Sequence, residues 1–264
     1  MFNFCSLYSG SSGNCLFVET DKTKILIDAG VSQRKILDAL ASFNVDITDI
    51  DAILVTHEHS DHTKNLGVIS QKYDIPVYIN KKTLNNLPSQ KDKIIDENRV
   101  FYTSNKSFSI NDLDIYPFSI PHDAADPCGF NILHKGKKIT IATDIGHIEN
   151  NMIKNFLDSD FILLEANYDP DILKYSRYPF HLKQRILSPI GHLSNTTCGK
   201  TLSEVIKKSP NCKKVMLGHL SKENNFPELA LKTVYDELSN ANISKEDVSV
   251  TIANRDYPSK LIKI

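Results

Sequence analysis

Short apolar runs alternate along the chain with stretches in which hydrophobic residues recur every three or four positions. The runs Phe2–Tyr8, Cys15–Thr20 and Lys24–Ile27 predict three strands of a meander, with residues 9–14, Ser-Gly-Ser-Ser-Gly-Asn, as the first turn. Ser32 is placed to cap a helix whose apolar residues Ile36, Leu37, Leu40 and Phe43 fall on one face. Further strands are predicted at 51–56, 76–79, 100–102, 113–118, 130–133, 138–142, 161–164, 214–217 and 248–253, and further helices at 148–157, 196–208 and 227–238. Strands in groups interleaved with helices point to an α/β fold in which two packed sheets are covered outside by helices. No linker, repeat or low-complexity tract divides the chain, so residues 1–264 are expected to form a single domain.

A hydrophobic fraction of 41% with 24% charged residues excludes a disordered, collagen-like or coiled-coil chain. No window approaches the roughly 18 apolar residues of a membrane span, and the start Met-Phe-Asn-Phe-Cys-Ser lacks the basic and apolar regions of a secretory signal. A cytoplasmic protein without membrane contact is expected. Cys5, Cys15, Cys128, Cys198 and Cys212 are odd in number and nowhere spaced Cys-x-x-Cys, which reads as reduced core thiols. With 31 Lys plus Arg against 32 Asp plus Glu the formal net charge is −1, so binding to nucleic acid requires a local basic patch.

Five ionisable residues stand just past five apolar runs: Asp28, His57, Asp144, Glu165 and His219. The carboxyl ends of strands open onto the ligand crevice in layered α/β proteins, so these side chains are expected to converge. The strongest signal is His57-Glu-His59-Ser-Asp61-His62. Such a cluster of imidazoles around a carboxylate gains nothing from core burial and suits a metal. It is not the zincin helix motif, because Asp61 stands where the second His would be. His57 and His59, two apart, point the same way and can share one ion, while Asp61 and His62 face a second. Two divalent ions about 3.5 to 4 Å apart can hold a bridging hydroxide and polarise a scissile group. His122, Asp144 and His219 complete the count: His57, His59 and His122 on one ion, Asp61, His62 and His219 on the other, and Asp144 between them. Zn, Mn and Fe all suit these ligands.

This order of residues resembles the metallo-β-lactamase superfamily, with Asp28, His57-x-His59-x-Asp61-His62, His122, Asp144 and His219 in the positions of its motifs. The resemblance implies a four-layer αββα sandwich with a dimetal site on one edge. His59 separates the chain from flavo-diiron members, which carry Glu there, and Asp144 separates it from the many lactamases that carry Cys. Glu165 and His192 resemble the carboxylate–histidine pair of the superfamily's tRNA-processing phosphodiesterases, although Leu193 intervenes where Ser or Thr would follow. A His oriented by a carboxylate is a suitable proton donor for a leaving alkoxide. Ser194 also reads as a helix N-cap, with His192 in the preceding turn. The segments 9–15, 123–130, 178–183, 191–195 and 219–225 resemble the YycJ (WalJ) branch, which implies a DNA exonuclease running 5′ to 3′.

Residues 174–185, Lys-Tyr-Ser-Arg-Tyr-Pro-Phe-His-Leu-Lys-Gln-Arg, hold four cations and no acid. Lys174, Arg177, Tyr178, His181, Lys183 and Arg185 are the candidate contacts to a polynucleotide, DNA ahead of RNA, by phosphate tracking and base stacking. The same segment also reads as a structural loop. Asp28 is expected one layer behind the ligands, fixing their orientation. His134 and His147 fit surface roles, and Asp123 and His181 have no assigned task. The expected activity is a dinuclear metal-dependent phosphodiesterase in which a metal-bridging hydroxide attacks phosphorus. Asp61 orients the hydroxide, and His192, held by Glu165, protonates the departing oxygen. The alternatives are a hydrolase of a thioester, cyclic phosphodiester or lactone, and a metal-stabilised binding module without turnover.

Overall fold

A computed structural model of the chain describes residues 1–87 and 89–264. The first sheet contains β1 (Phe2–Tyr8), β2 (Cys15–Thr20), β3 (Lys24–Ile27), β4 (Ala52–Leu54), β5 (Val77–Ile79) and β6 (Arg99–Phe101). The second contains β7 (Phe108–Ile110), β8 (Leu113–Ser119), β9 (Cys128–His134), β10 (Lys137–Ala142), β11 (Phe161–Glu165), β12 (Lys214–Gly218) and β13 (Ser249–Ile252). A last short strand, β14 (Ile262–Lys263), returns to pair with β1, so among the described residues each sheet has seven strands.

Both sheets change direction in the same way. Pairing is antiparallel through β1, β2 and β3, then parallel from β3 to β6. It is likewise antiparallel from β7 to β10, then parallel from β10 to β13. Parallel strands covered on both faces need continuous apolar sequence. Phe-Ile-Leu-Leu in β11 and Ala-Ile-Leu in β4 supply it, and both are buried throughout.

Side chains alternate between faces along each strand and so divide the apolar residues among three cores. Ile25, Ile27, Phe161, Leu163 and Met216 meet between the sheets, where the Phe4 and Phe161 rings lie 4.6 Å apart. Leu26 and Ile53 face outward onto Ile36 and Leu40 of α1 (Gln33–Ala41). On the other side Ile162, Leu164 and Leu217 meet the outer helices through Leu202, Val205, Val234 and Leu238. The layers are therefore helix, sheet, sheet, helix, as the sequence implies.

The remaining helices are α2 (Ser60–Thr63), α3 (Leu66–Tyr73), α4 (Lys81–Asn86), α5 (Asn150–Phe156), α6 (Pro170–Tyr175), α7 (Phe180–Leu187), α8 (Asn195–Lys208) and α9 (Pro227–Asn240). Ser32 caps α1 by accepting from Lys35 N, and all five cysteines are free and buried. Among the described residues no helix is long and apolar enough to cross a membrane. Three differences from the sequence reading stand out. β7 and β14 are too short to register as apolar runs. The basic segment 174–185 is a loop only at 176–179; the rest is the end of α6 and most of α7. His134 is not a surface residue: it ends β9 at 5% exposure, with its ring against Phe2 and Nδ1 3.0 Å from the Asp112 carbonyl.

Gly30 sets the packing of the site edge. A Cβ there would collide with the Asp61 carbonyl and lie 2.9 Å from Asn14 N. Backbone atoms cannot yield as a side chain can, so Gly30→Ala is expected to lower unfolding stability by about 1–3 kcal/mol or more. Urea denaturation measures it, and a loss below about 0.5 kcal/mol would contradict the close approach.

Candidate metal centre and active site

The loops after β3, β4, β10, β11 and β12 share one edge of the sandwich, and three of them carry a left-handed residue within two positions of the strand: Asp28 (φ 63°), Asp144 (φ 61°) and His219 (φ 54°). Asp and His enter this region more readily than most residues, yet the conformation costs energy and persists only where the surroundings enforce it. Here Asp28 N donates to Leu54 O at 2.8 Å and His219 N to Ser9 Oγ at 2.9 Å. After β4 the chain runs extended through His57, then turns into α2 at His59, so Asp61 and His62 project from one helical turn. Ala29 N to His62 O (2.8 Å) and Asn14 N to Asp61 O (2.7 Å) fasten that turn.

The structure brings His57, His59 and His122 together as one potential metal-holding group and Asp61, His62 and His219 as another. Asp144 joins His57 and His62 in a third. Its Oδ2 lies 3.2 Å from His62 Nε2 and its Oδ1 3.3 Å from His219 Nδ1 and 3.9 Å from His122 Nε2. The outward nitrogens are occupied: His62 Nδ1 by Asp28 (2.7 Å), His57 Nδ1 by Thr56 Oγ1 (3.0 Å), His122 Nδ1 by Gly191 O (3.0 Å) and His219 Nδ1 by Glu165 (2.9 Å). These bonds turn Nε2 of four rings inward, with His59 contributing Nδ1, 3.3 Å from His122 Nε2. Orientation of ligand imidazoles by outer partners is a hallmark of metal sites. His57 Nε2 and Asp144 Oδ2 are buried without a hydrogen-bond partner. Orphaned polar atoms of this kind are rare, and a cation between them would satisfy both, so the donor set fits divalent metal.

Electrostatics agree. Burial and the neighbouring His62 push His57 well below the usual imidazole range. For His62, burial acts downward but Asp144, Asp28 and Asp61 outweigh it and raise it well above. Burial likewise opposes, and Asp144 with Asp61 and Glu165 overcomes, the rise of His219 to about 10. Burial would raise Asp144, yet His219 and His62 hold it well below the carboxylate range. The buried carboxylates thus favour positive charge at this centre, which a bound cation would supply.

Glu165 is fully buried and divides its oxygens. Oε1 accepts from His192 Nδ1 (2.8 Å) and His219 Nδ1 (2.9 Å), and Oε2 from the backbone N–H groups of Ile145 (2.8 Å) and Leu193 (3.1 Å). Against the upward pull of burial, His192 and His219 keep it ionised below its usual range. His192 is 14% exposed, so its free edge reaches solvent. Ser194 also caps α8 through Thr197 N, so the capping and pairing readings of this segment coexist.

Other contacts escaped the sequence reading. Asn14 Nδ2 lies 3.0 Å from His62 Nε2, Glu58 Oε1 accepts from Ala125 N at 2.7 Å, and Asn167 Nδ2 donates to His219 O at 2.7 Å. Amide side chains in turns carry no chemical signature, and only the folded edge aligns them. Asp123 gains a place: it binds Arg185 through two bonds (2.5 and 3.1 Å), with Oδ1 3.3 Å from His122 Nε2. Of the basic segment, Lys183 Nζ donates to the carbonyls of Lys174 and Ser176, Lys174 sits over the Tyr175 ring, and Tyr178 packs on the small cluster of Tyr168, Leu173 and Ile186. Arg177 and His181 are exposed, and neither is brought to the metal centre.

Residues 23–209 match the family described as beta-lactamase superfamily domain. The chain belongs to the metallo-β-lactamase superfamily. It is 39% identical over 244 residues to the exodeoxyribonuclease WalJ of Streptococcus pneumoniae serotype 2, strain D39, covering 92% of this chain and 90% of that one. It is 36% identical over 232 residues to the exodeoxyribonuclease YycJ of Bacillus anthracis, covering 88% and 87%. The solved metallo-β-lactamase fold protein YhfI of Bacillus subtilis aligns with a TM-score of 0.71 at 15% identity, over 98% of this chain and all of that one, a likeness of fold alone. The fold and branch expected from the motifs are thereby met.

Asp28 holds the histidine-bearing loop to the end of the first sheet. Its Oδ1 accepts from Thr56 N (2.9 Å) and its Oδ2 from Thr56 Oγ1 (2.8 Å) and the His62 ring. Asp28→Ala is expected to weaken metal binding about 10- to 100-fold while the chain still folds. Competition titration with a chromogenic chelator reads this, and an unchanged affinity would remove Asp28 from the account.

Proposed function

We propose that the chain is a dinuclear metal-dependent phosphodiesterase, a DNA exonuclease acting from the 5′ end. The observation that carries this reading is the pairing of His192 with Glu165 beside the convergent donor set. The relatives named exodeoxyribonuclease support DNA as the substrate class.

His57, His59 and His122 would hold one ion, Asp61, His62 and His219 the other, and Asp144 would span them; Zn, Mn or Fe suits this set. When bound, the ions supply Lewis acidity that activates water and polarises the phosphate. The protein's own residues do the rest. Asp61 would orient the attacking water, a role supported by its Oδ2 lying 3.4 Å from His219 Nε2 with the side chain 25% exposed. Because Glu165 occupies Nδ1 of His192, Nε2 is the nitrogen left to protonate the departing oxygen. Glu165 also steadies His219, so one carboxylate couples the proton donor to the ligand set.

At the mouth, Asp123 holds Arg185 and sets its own Oδ1 3.3 Å from His122 Nε2, and the guanidinium of this pair would meet a phosphate. Lys174, Arg177, Tyr178 and His181 would extend this contact along the strand. Lys183 contributes by holding α6 to α7, since its Nζ is already engaged. The five free buried thiols support a reducing, cytoplasmic setting.

Metal-loaded protein incubated with 5′-labelled and 3′-labelled DNA, with Asp61→Ala as control, tests the reading. Mononucleotides released first from the 5′ end by the wild type alone are expected. Cleavage of a thioester or lactone with none of DNA would overturn it. For the proton donor, His192→Ala is expected to lower kcat on DNA about 10²- to 10⁴-fold with metal content retained; turnover equal to wild type would refute that role.

A further inference from the structure

A cleft of about 350 Å³ opens on the same sandwich edge, where β12 and β13 end, and its lining includes Ser9, Lys222, Phe226, Arg255, Asp256 and Tyr257. This volume falls within the roughly 300–1,000 Å³ of small-ligand clefts. The wall is shared with the metal centre. Ser9 Oγ accepts from His219 N at 2.9 Å, and Gly10, the next residue, exchanges hydrogen bonds with the Asn14 side chain that reaches His62. Residues 9–14 therefore form the partition between cleft and ligands, and Lys222 follows His219 by three positions.

The lining has an unusual balance. Phe226 and Tyr257 are large aromatic residues left 48% and 62% exposed. Lys222 and Arg255 form no ion pair among the described residues, and Asp256, the acid in the lining, pairs with neither. Arg255 Nη2 donates to Leu220 O at 2.7 Å, which fixes the guanidinium, while its Nε is buried and unpartnered. Arg185 of the basic segment, in contrast, is paired with the Asp123 carboxylate.

We propose that this cleft binds one nucleotide of the substrate strand, adjacent to the scissile phosphate. Phe226 and Tyr257 offer the base a stacking surface, and Lys222 and Arg255 offer its phosphate positive charge. Stacking is tolerant of sequence because every base has a π-face, which suits an enzyme that must accept each nucleotide in turn. Unpaired cations near the strand add backbone attraction without base preference. The inference rests on the nuclease reading above.

Deoxyadenosine 5′-monophosphate is titrated calorimetrically into metal-loaded wild type, Tyr257→Ala and Lys222→Glu, both sites being exposed. Each substitution is expected to raise Kd about tenfold. The ratio of kcat/KM on DNA to that on bis(p-nitrophenyl) phosphate is expected to fall by a similar factor. No binding at millimolar concentration, a Kd insensitive to both changes, or equal loss on both substrates would overturn the cleft. Substitution-sensitive binding in a protein that cuts no DNA supports the cleft and removes the nuclease reading instead.

Discussion

Burying Asp144 among imidazoles sets the terms for the whole site edge. A carboxylate withdrawn from water costs several kcal/mol unless opposite charge and hydrogen bonds replace its hydration. His62 and His219 lie within about 3.3 Å of its oxygens, yet Oδ2 is left without a hydrogen bond and His57 Nε2 faces inward without one either. A cation would complete the balance. The outer contacts, from Asp28 to His62 and from Glu165 to His219, aim the rings so that the charge can be shared. Gly30 and Asn14 hold the Asp61–His62 turn at the right depth.

The two sheets prepare this arrangement in parallel ways. Each changes from antiparallel to parallel pairing at one strand, β3 in the first and β10 in the second. Just beyond each change stands an aspartate in the left-handed region, Asp28 and Asp144. Equivalent backbone positions thus serve different ends: Asp28 turns back to grip Thr56 and His62, whereas Asp144 faces the centre. The carboxyl ends of the parallel strands open outside the sheets in both halves, and the loops that follow them carry side chains into the common crevice.

Much of this was legible in the sequence because the residues that matter sit directly after apolar runs. His57, Asp144, Glu165 and His219 follow strands whose continuous hydrophobicity marks them as buried, and the edge brings them together as expected. The histidine-rich motif had few other physical explanations. What could not be read was chemistry built from ordinary residues. Asn14, Glu58 and Asn167 act through geometry that depends on loops from distant strands. Lys183 looked like a phosphate contact because charge is visible in sequence while its engagement with helix-end carbonyls is not. His134 looked exposed because it precedes Lys-Gly, yet the strand reaches one residue further and carries it inward.

The central claim is that this edge holds two ions with Asp144 between them. Anomalous scattering from crystals of metal-reconstituted protein counts and positions them directly. The account predicts two ions per chain, one among His57, His59 and His122 and the other among Asp61, His62 and His219. A single ion at saturation, or ions bound away from Asp144, would contradict it.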